Sequence, residues 1–151
     1  MLITPLIQSD CSKAAILHQQ AFYKGWTEKD FKDFIHDPLI YGLKITKNDV
    51  LTTIILWREV ENEAEILTLI VDPTYQNQGQ ASLLLKTLMT QLVHKNISQI
   101  FLEVAEDNEG AYYFYKKYGF HLLNKRLQYY EREGNKRVTA LNLMKKFSRE
   151  N

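Results

Sequence analysis

The sequence predicts an α/β fold, a mixed and mainly antiparallel β-sheet flanked by helices on both faces. Three observations lead there. Strand-like runs are bunched between residues 39 and 71, as in an antiparallel meander. A strand–helix–strand–helix succession follows over residues 65–118. The composition, 45% apolar and 25% charged over 151 residues, is that of an ordinary globular chain. A domain of that length buries roughly 68–70% of its unfolded surface and needs no disulfide or metal to hold it. No repeat, low-complexity segment or Pro/Gly/Ser linker interrupts the chain, so residues 1–151 read as one domain.

Each element follows from local pattern. Residues 2–7 are a short apolar run suited to a strand. Ser9 and Asp10 offer helix caps before residues 11–23, where Ala14, Leu17 and Ala21 recur at helical spacing. Thr27 caps a second helix through about His36, with Glu28 and Asp30 in the first turn, where the helix dipole favours negative charge. Asp37-Pro38 ends it. Residues 39–46 and 50–58, separated by the turn Lys47-Asn48-Asp49, read as a hairpin. An acidic loop over 59–63 leads to a strand at 65–71. Residues 79–94 place Leu84, Leu85, Leu88, Met89 and Leu92 on one helical stripe. Residues 99–105 form a buried-type strand, 108–118 a helix, and Gly119 is its C-terminal stop. Strands at 120–130 and 138–144 complete the order β-α-α-β-β-β-α-β-α-β-β.

The net charge of +1 conceals an uneven distribution. Residues 59–109 hold nine acidic residues against two lysines, and residues 110–151 hold ten basic against three acidic. Most of these charges read as solvated faces; the acidic middle also suits a cationic substrate, and the basic end suits phosphates. A nucleic-acid binder would be basic overall or carry a dense basic block, so no direct nucleic-acid partner is expected. The single cysteine, Cys11, forms no internal disulfide and fits a reducing compartment. The chain opens without a basic segment followed by an apolar one, and no apolar run reaches the ~18 residues of a membrane span. A cytoplasmic location without a membrane partner is expected. His18, His36, His94 and His121 are too scattered for metal-ligand spacing, so no metal is expected.

The segment Val71-Asp72-Pro73-Thr74-Tyr75-Gln76-Asn77-Gln78-Gly79-Gln80-Ala81 joins a strand to a helix. The first N–H groups of a helix lack internal partners and favour an anion. Gly79 lets a ligand approach the backbone, and Ala81 keeps the first turn slim. Neither GxGxxG nor GxxxxGK[ST] is present, which argues against dinucleotide and ATP sites. On spacing alone the segment reads more readily as a plain connection than as a binding loop.

The string Gln76-x-x-Gly79-x-Ala81 resembles the [QR]-x-x-G-x-[GA] motif of the GNAT superfamily of N-acetyltransferases. A second similarity runs from Leu102-Glu103-Val104 through Asn108 and Tyr115 to Gly119-Phe120. Gly25-Trp26-Thr27-Glu28-Lys29-Asp30-Phe31 and the later Tyr129-Tyr130 with Gly134 resemble segments of the RimI-type ribosomal-protein alanine N-acetyltransferases. Two positions depart from that group. Gly25 stands where the group has Pro, which is expected to loosen the start of the second helix. Thr139 stands where it has an acidic residue, which bears on what the loop 134–140 does for acceptor choice.

The resemblance implies a GNAT-like fold and acetyl transfer from acetyl-CoA to the N-terminal α-amine of a protein, namely the N-terminal alanine of a small-subunit ribosomal protein. A lysine or small-amine acceptor, or a non-catalytic acyl-CoA-binding module, are the alternatives. The implied partners are acetyl-CoA and a protein or peptide N-terminus. Gln76, Asn77, Gln78, Gly79, Gln80, Ala81 and Ser82 would hold the pyrophosphate. Pantetheine would lie along Leu69, Ile70 and Val71, one of whose N–H groups would support the oxyanion. Asn108 would contact the cofactor, cap its own helix, or both. Glu103 is the implied base, acting directly or through water. It sits amid Phe101, Leu102 and Val104, where partial burial would raise its pKa. Pairing with a cation at a sheet edge is the other reading of Glu103, and Glu65 is the reserve base. Tyr115 is the implied acid for the departing thiolate, although a phenol (~10) is weaker than a thiol (~8.5) and needs a tuned site. Tyr112, Tyr113, Phe114 and Tyr118 share its helix and read equally as core. Trp26 either lines the peptide groove or staples into the core.

Overall fold

A run from Leu51 to Trp57 is buried at every position, as a strand covered on both faces requires. In the structure, a computed structural model describing residues 1–148, this run is the middle of the third strand. The elements are β1 (Leu2–Pro5), α1 (Cys11–Ala21), α2 (Glu28–His36), β2 (Ile40–Lys47), β3 (Val50–Val60), β4 (Glu63–Val71), α3 (Gln80–His94), β5 (Gln99–Ala105), α4 (Glu109–Lys117), β6 (His121–Arg132) and β7 (Lys136–Lys146). The seven strands form a sheet in the order β1-β2-β3-β4-β5-β7-β6. Every pairing is antiparallel except β4 with β5, so the expected mixed, mainly antiparallel sheet is the one observed.

Alternation along the strands feeds two cores. Ile55, Trp57, Ile66, Ile100, Leu102 and Val104 pack beneath Leu84, Leu85, Leu88 and Leu92 of α3, with Tyr115 of α4 in the same cluster. Ile54, Leu56 and Ile70 face the other way, onto Ala14 and Leu17 of α1 and Phe31 of α2. Helices therefore cover both faces. Each fully buried Leu, Ile or Phe contributes about 1.5–3 kcal/mol relative to exposure.

Two bulges change which side chains share a face. Thr52 is an extra residue between the pairs Ile45–Thr53 and Thr46–Leu51. Leu67 is an extra residue between Leu56–Thr68 and Trp57–Ile66. A bulge shifts the alternation by one, so residues beyond it change faces.

Several boundaries differ from the sequence expectation. The acidic stretch 59–63 is a continuation of the hairpin, with Glu59–Ala64 and Val60–Glu63 paired around a turn at Glu61 and Asn62. Glutamates at both strand ends hid it; Glu59 is held by Trp57 Nε1 at 2.9 Å and by Lys95 at 3.0 Å. Helix α1 stops at Ala21 because Phe22 is extended, its N–H donating to the His18 carbonyl at 2.9 Å. Asp10 does not cap α1 with its carboxylate, which accepts from Ile7 N–H (2.8 Å) and Lys44 (2.7 Å) instead. Thr27 caps α2 as expected, its hydroxyl accepting from Asp30 N–H at 3.1 Å, and the Asp30 carboxylate, expected only to favour the dipole, accepts in return from Thr27 N–H at 2.8 Å. Gly119 ends α4 at φ 92°.

Gly25 tightens the start of α2, contrary to the expected loosening. A Cβ there would stand 2.7 Å from the Gln19 Cα and the His18 carbonyl oxygen, both backbone. Gly25→Ala is therefore expected to cost about 1–3 kcal/mol through overpacking, read as a lowered urea midpoint with unchanged m-value.

Candidate active site

The parallel register of β4 and β5 runs only from Glu63–Gln99 to Ile66–Leu102. Beyond it β5 stays with β7, through Ala105–Ala140, while β4 stays with β3, through Val71–Thr53. The two strands therefore part at Leu67 and Glu103, and residues 67–71 lose their β5 partner. Thr68, in this stretch, carries a buried hydroxyl without a hydrogen-bond partner among the described residues.

A cleft of about 590 Å³ lies along this opening. Leu69, Ile70 and Val71 form one wall, Leu17 and Ala21 of α1 with Phe22 just beyond it another, and Asn108, Gly110 and Phe114 close it at α4. Its end is the loop into α3: Gln76, Asn77, Gly79, Gln80, Ala81 and Ser82 all line it. Local chemistry shapes that loop. Asp72 Oδ1 accepts from Thr74 N–H at 2.9 Å to hold the turn at Pro73–Tyr75. Asn77 (φ 63°) and Gly79 (φ 78°) take the left-handed conformation that lets the chain double back into the helix. Gly79 supplies no side-chain cap, the first turn of α3 holds no acidic residue, and a Cβ on Gly79 would meet nothing within 4 Å. The result is an uncapped helix N-terminus facing a cleft, which suits an anion. Chemically, such a helix start accepts an anion and such an open strand edge an amide chain.

All but one of the expected cofactor-contacting residues line this cleft. Gln78 is turned aside, its Oε1 accepting from Lys47 at 3.4 Å. Gln80 lines the cleft, but its Oε1 points inward and accepts from the hydroxyls of Thr52 and Thr53. Asn108 lines the cleft and also caps α4, its Oδ1 accepting from Ala111 N–H at 3.2 Å.

Glu103 stands in a second cleft, of about 520 Å³, shared with Glu65, Leu67, Phe101, Arg126, Tyr129, Tyr130 and Asn142. The two clefts use successive parts of β4, residues 65–67 and 69–71, on either side of Thr68. Leu102 and Val104 belong to the core under α3, so the expected apolar crowding of Glu103 from both sequence neighbours is absent. Its oxygens are instead held by the Tyr130 hydroxyl, donating at 2.9 Å, and by Arg126 Nε at 3.5 Å. Burial, reinforced by the Glu103 charge, pushes the Tyr130 phenol up, so Tyr130 stays a donor. Glu65 is more exposed and lies 3.5 Å from Arg58.

Tyr115 is buried at the end of α4, its ring 5.4 Å from that of Phe120 and 5.2 Å from that of Phe114. Burial pushes its phenol up. It lines neither cleft, being set in the core behind them. Trp26 is a core staple: it stacks on His18 (4.2 Å between centroids) and packs edge-on against Phe31 and Phe34. Arg126, Asn142 and the pair Thr52–Thr53 were not singled out from sequence; the threonines are marked only by sitting in the otherwise apolar run from Val50 to Trp57. Among the described residues no group of three or more His, Cys, Asp or Glu side chains converges on a point, and no helix is long and apolar enough to cross a membrane.

Residues 12–120 match the acetyltransferase (GNAT) family.

The chain belongs to the acetyltransferase (GNAT) family. It is an N-acetyltransferase of the GNAT type. It is similar to the [ribosomal protein bS18]-alanine N-acetyltransferase of Haemophilus ducreyi, 28% identical over 140 residues covering 93% of this chain and 96% of that protein. The enzyme of the same name from Escherichia coli K12 is 29% identical over 128 residues, 85% of this chain and 86% of the other. The crystal structure of the ribosomal-protein-S18-alanine N-acetyltransferase from Escherichia coli superposes with a TM-score of 0.91 at 27% identity, covering 99% and 96% of the two chains. Ard1 from Thermoplasma volcanium shares the fold, with a TM-score of 0.87 at 22% identity and 98% coverage of each chain.

His18 holds the connection between α1 and α2. It is buried, its Nδ1 accepts the Trp26 N–H at 2.8 Å, and burial pushes its pKa down from 6.5 to about 4. The unfolded chain therefore takes up a proton before the folded one. The stabilisation is present in full above about pH 6.5 and is lost as the pH falls through about 4. Melting temperatures between pH 7 and 4 are expected to fall less steeply for His18→Asn than for the unchanged protein; parallel curves would contradict this.

Proposed function

We propose that this chain, as one N-acetyltransferase domain over residues 1–151, transfers an acetyl group from acetyl-CoA to the N-terminal α-amine of a protein, the N-terminal alanine of a small-subunit ribosomal protein. The observation that carries it is the pair of clefts on either side of Thr68 in β4, one ending at an uncapped helix N-terminus and the other holding Glu103. The acceptor rests on the likeness to the bS18-alanine N-acetyltransferases, 28–29% identical over most of the chain.

Acetyl-CoA, when bound, supplies an activated acyl group as a thioester. The N–H groups at the start of α3 hold its pyrophosphate, with Gln76, Asn77, Gly79, Ala81 and Ser82 around it. The unpaired edge of β4 at Leu69, Ile70 and Val71 takes its amide chain, and one of those N–H groups faces the oxygen that gains charge. Glu103, oriented by Tyr130 and Arg126, accepts the proton of the incoming ammonium directly or through water. An α-amine with pKa ~7.7–8.0 asks little of such a base, whereas a lysine near ~10.4 asks more. By resemblance Tyr115 is the acid for the departing sulfur, a role that requires its hydroxyl to reach the cleft from the core behind it. Its raised pKa requires that donation to accompany bond cleavage, because a free phenolate there is costly.

Mass spectrometry after incubation with acetyl-CoA is expected to find the acetyl group on the α-amine of an Ala-initiated peptide. An Nα-blocked peptide bearing lysine should stay unmodified. Glu103→Gln and Tyr115→Phe should each lower kcat/KM about 10²-fold or more. Transfer to lysine alone would replace the acceptor assignment; no turnover with any amine, despite CoA binding, would leave an acyl-CoA-binding module.

A further inference from the structure

Both ends of the phosphate loop are fastened to one irregularity in β3. The extra residue Thr52 breaks the alternation, so that Leu51 faces the α1–α2 core while Ile55 faces the α3 core. Thr52 and Thr53, consecutive residues, consequently both present their hydroxyls to α3. The Thr52 carbonyl accepts from Asp72 N–H at 2.7 Å, where the chain leaves β4. The Thr52 and Thr53 hydroxyls donate to Gln80 Oε1 at 2.5 and 2.6 Å, where the chain enters α3. Thr52 and Thr53 are 0% exposed and Gln80 3%. Between these points the chain runs through left-handed Asn77 and Gly79, with the Gly79 Cβ position open.

We infer that Thr52, Thr53 and Gln80 are positioning residues for the cofactor. Gln80 spends its side-chain oxygen on β3, and by doing so fixes the direction in which the first N–H groups of α3 point. A loop with two left-handed residues and no capping side chain would otherwise sample several conformations, and ordering it would be charged against binding. Fastening it to the sheet removes that cost before the ligand arrives. The inference rests on the loop's proposed role as pyrophosphate clamp.

The test is a triple substitution, Thr52→Val, Thr53→Val and Gln80→Leu. Replacing both partners of a buried hydrogen bond with apolar groups of similar shape is close to neutral for stability, so it separates folding from positioning. The expected result is a melting temperature within a few degrees of the unchanged protein, and CoA affinity by calorimetry weaker by about tenfold. Pantetheine, which has no phosphate, is expected to keep its affinity in a chemical-shift titration. Thr52→Ser with Thr53→Ser, which keeps both hydroxyls, should bind CoA within about twofold of the unchanged protein. A folded triple variant with undiminished CoA affinity would overturn the inference. So would equal weakening for CoA and pantetheine, the mark of a general structural effect. If the unchanged protein bound no CoA, the functional reading itself would fall, and the inference with it.

Discussion

Strands β4 and β5 must stay paired at one end and part at the other, and the site is built on that constraint. β5 is drawn away by seven residue pairs with β7, while β4 is held by β3 on its other side. The gap opens after Ile66 and Leu102, in the middle of a sheet, where an unpaired strand edge would ordinarily be closed by another strand. The bulge at Leu67 lies at the same point and turns Thr68 toward the α1–α2 side. A ligand with amide groups completes such an edge as a strand would. The unpartnered Thr68 hydroxyl marks where the protein's own hydrogen bonding stops.

The proposed chemistry then depends on what each side of the gap presents. On the loop side, partial positive charge comes from a helix N-terminus without a cap, fastened to β3 by two threonines and a glutamine in the core. On the other side, Glu103 projects from the first β5 residue beyond the last β4 pair, held at 2.9 Å by Tyr130. The hairpin of β6 and β7 that supplies Tyr130 and Arg126 is tied back to the rest of the molecule by Lys24–Glu131 and Arg132–Asp107. Those pairs are largely solvent-exposed, so each contributes little energy; their effect is on where the hairpin sits.

Much of this was legible in the sequence because the local signals agreed. The leucine stripe of α3, the cap at Thr27 and the stop at Gly119 each depend on a few neighbouring residues, and each is found where expected. The motif spacing brought Gln76, Gly79, Ala81 and Asn108 to one cleft. What could not be read depends on partners distant in sequence. The hairpin at Glu61–Asn62 was masked by glutamates at its strand ends, Glu59 held by Lys95 and Glu63 by Gln99. Gly25 looked like a loosening and is a close contact with the backbone of α1. A bulge such as that at Thr52 leaves no periodic trace, and so the inward turn of Gln80 was hidden. The surroundings of Glu103 were misjudged for a similar reason: its neighbours in sequence face the opposite side of the sheet, and its real neighbours lie more than twenty residues away.

Amide hydrogen exchange along β4, with and without CoA, tests the role of the gap most directly. Slower exchange on adding CoA is expected at residues 69–71 and in the first turn of α3, with little change at residues 63–66, which are already paired with β5. Protection confined to the α3 turn, with residues 69–71 exchanging as before, would contradict the assignment of the open β4 edge as the cofactor's seat.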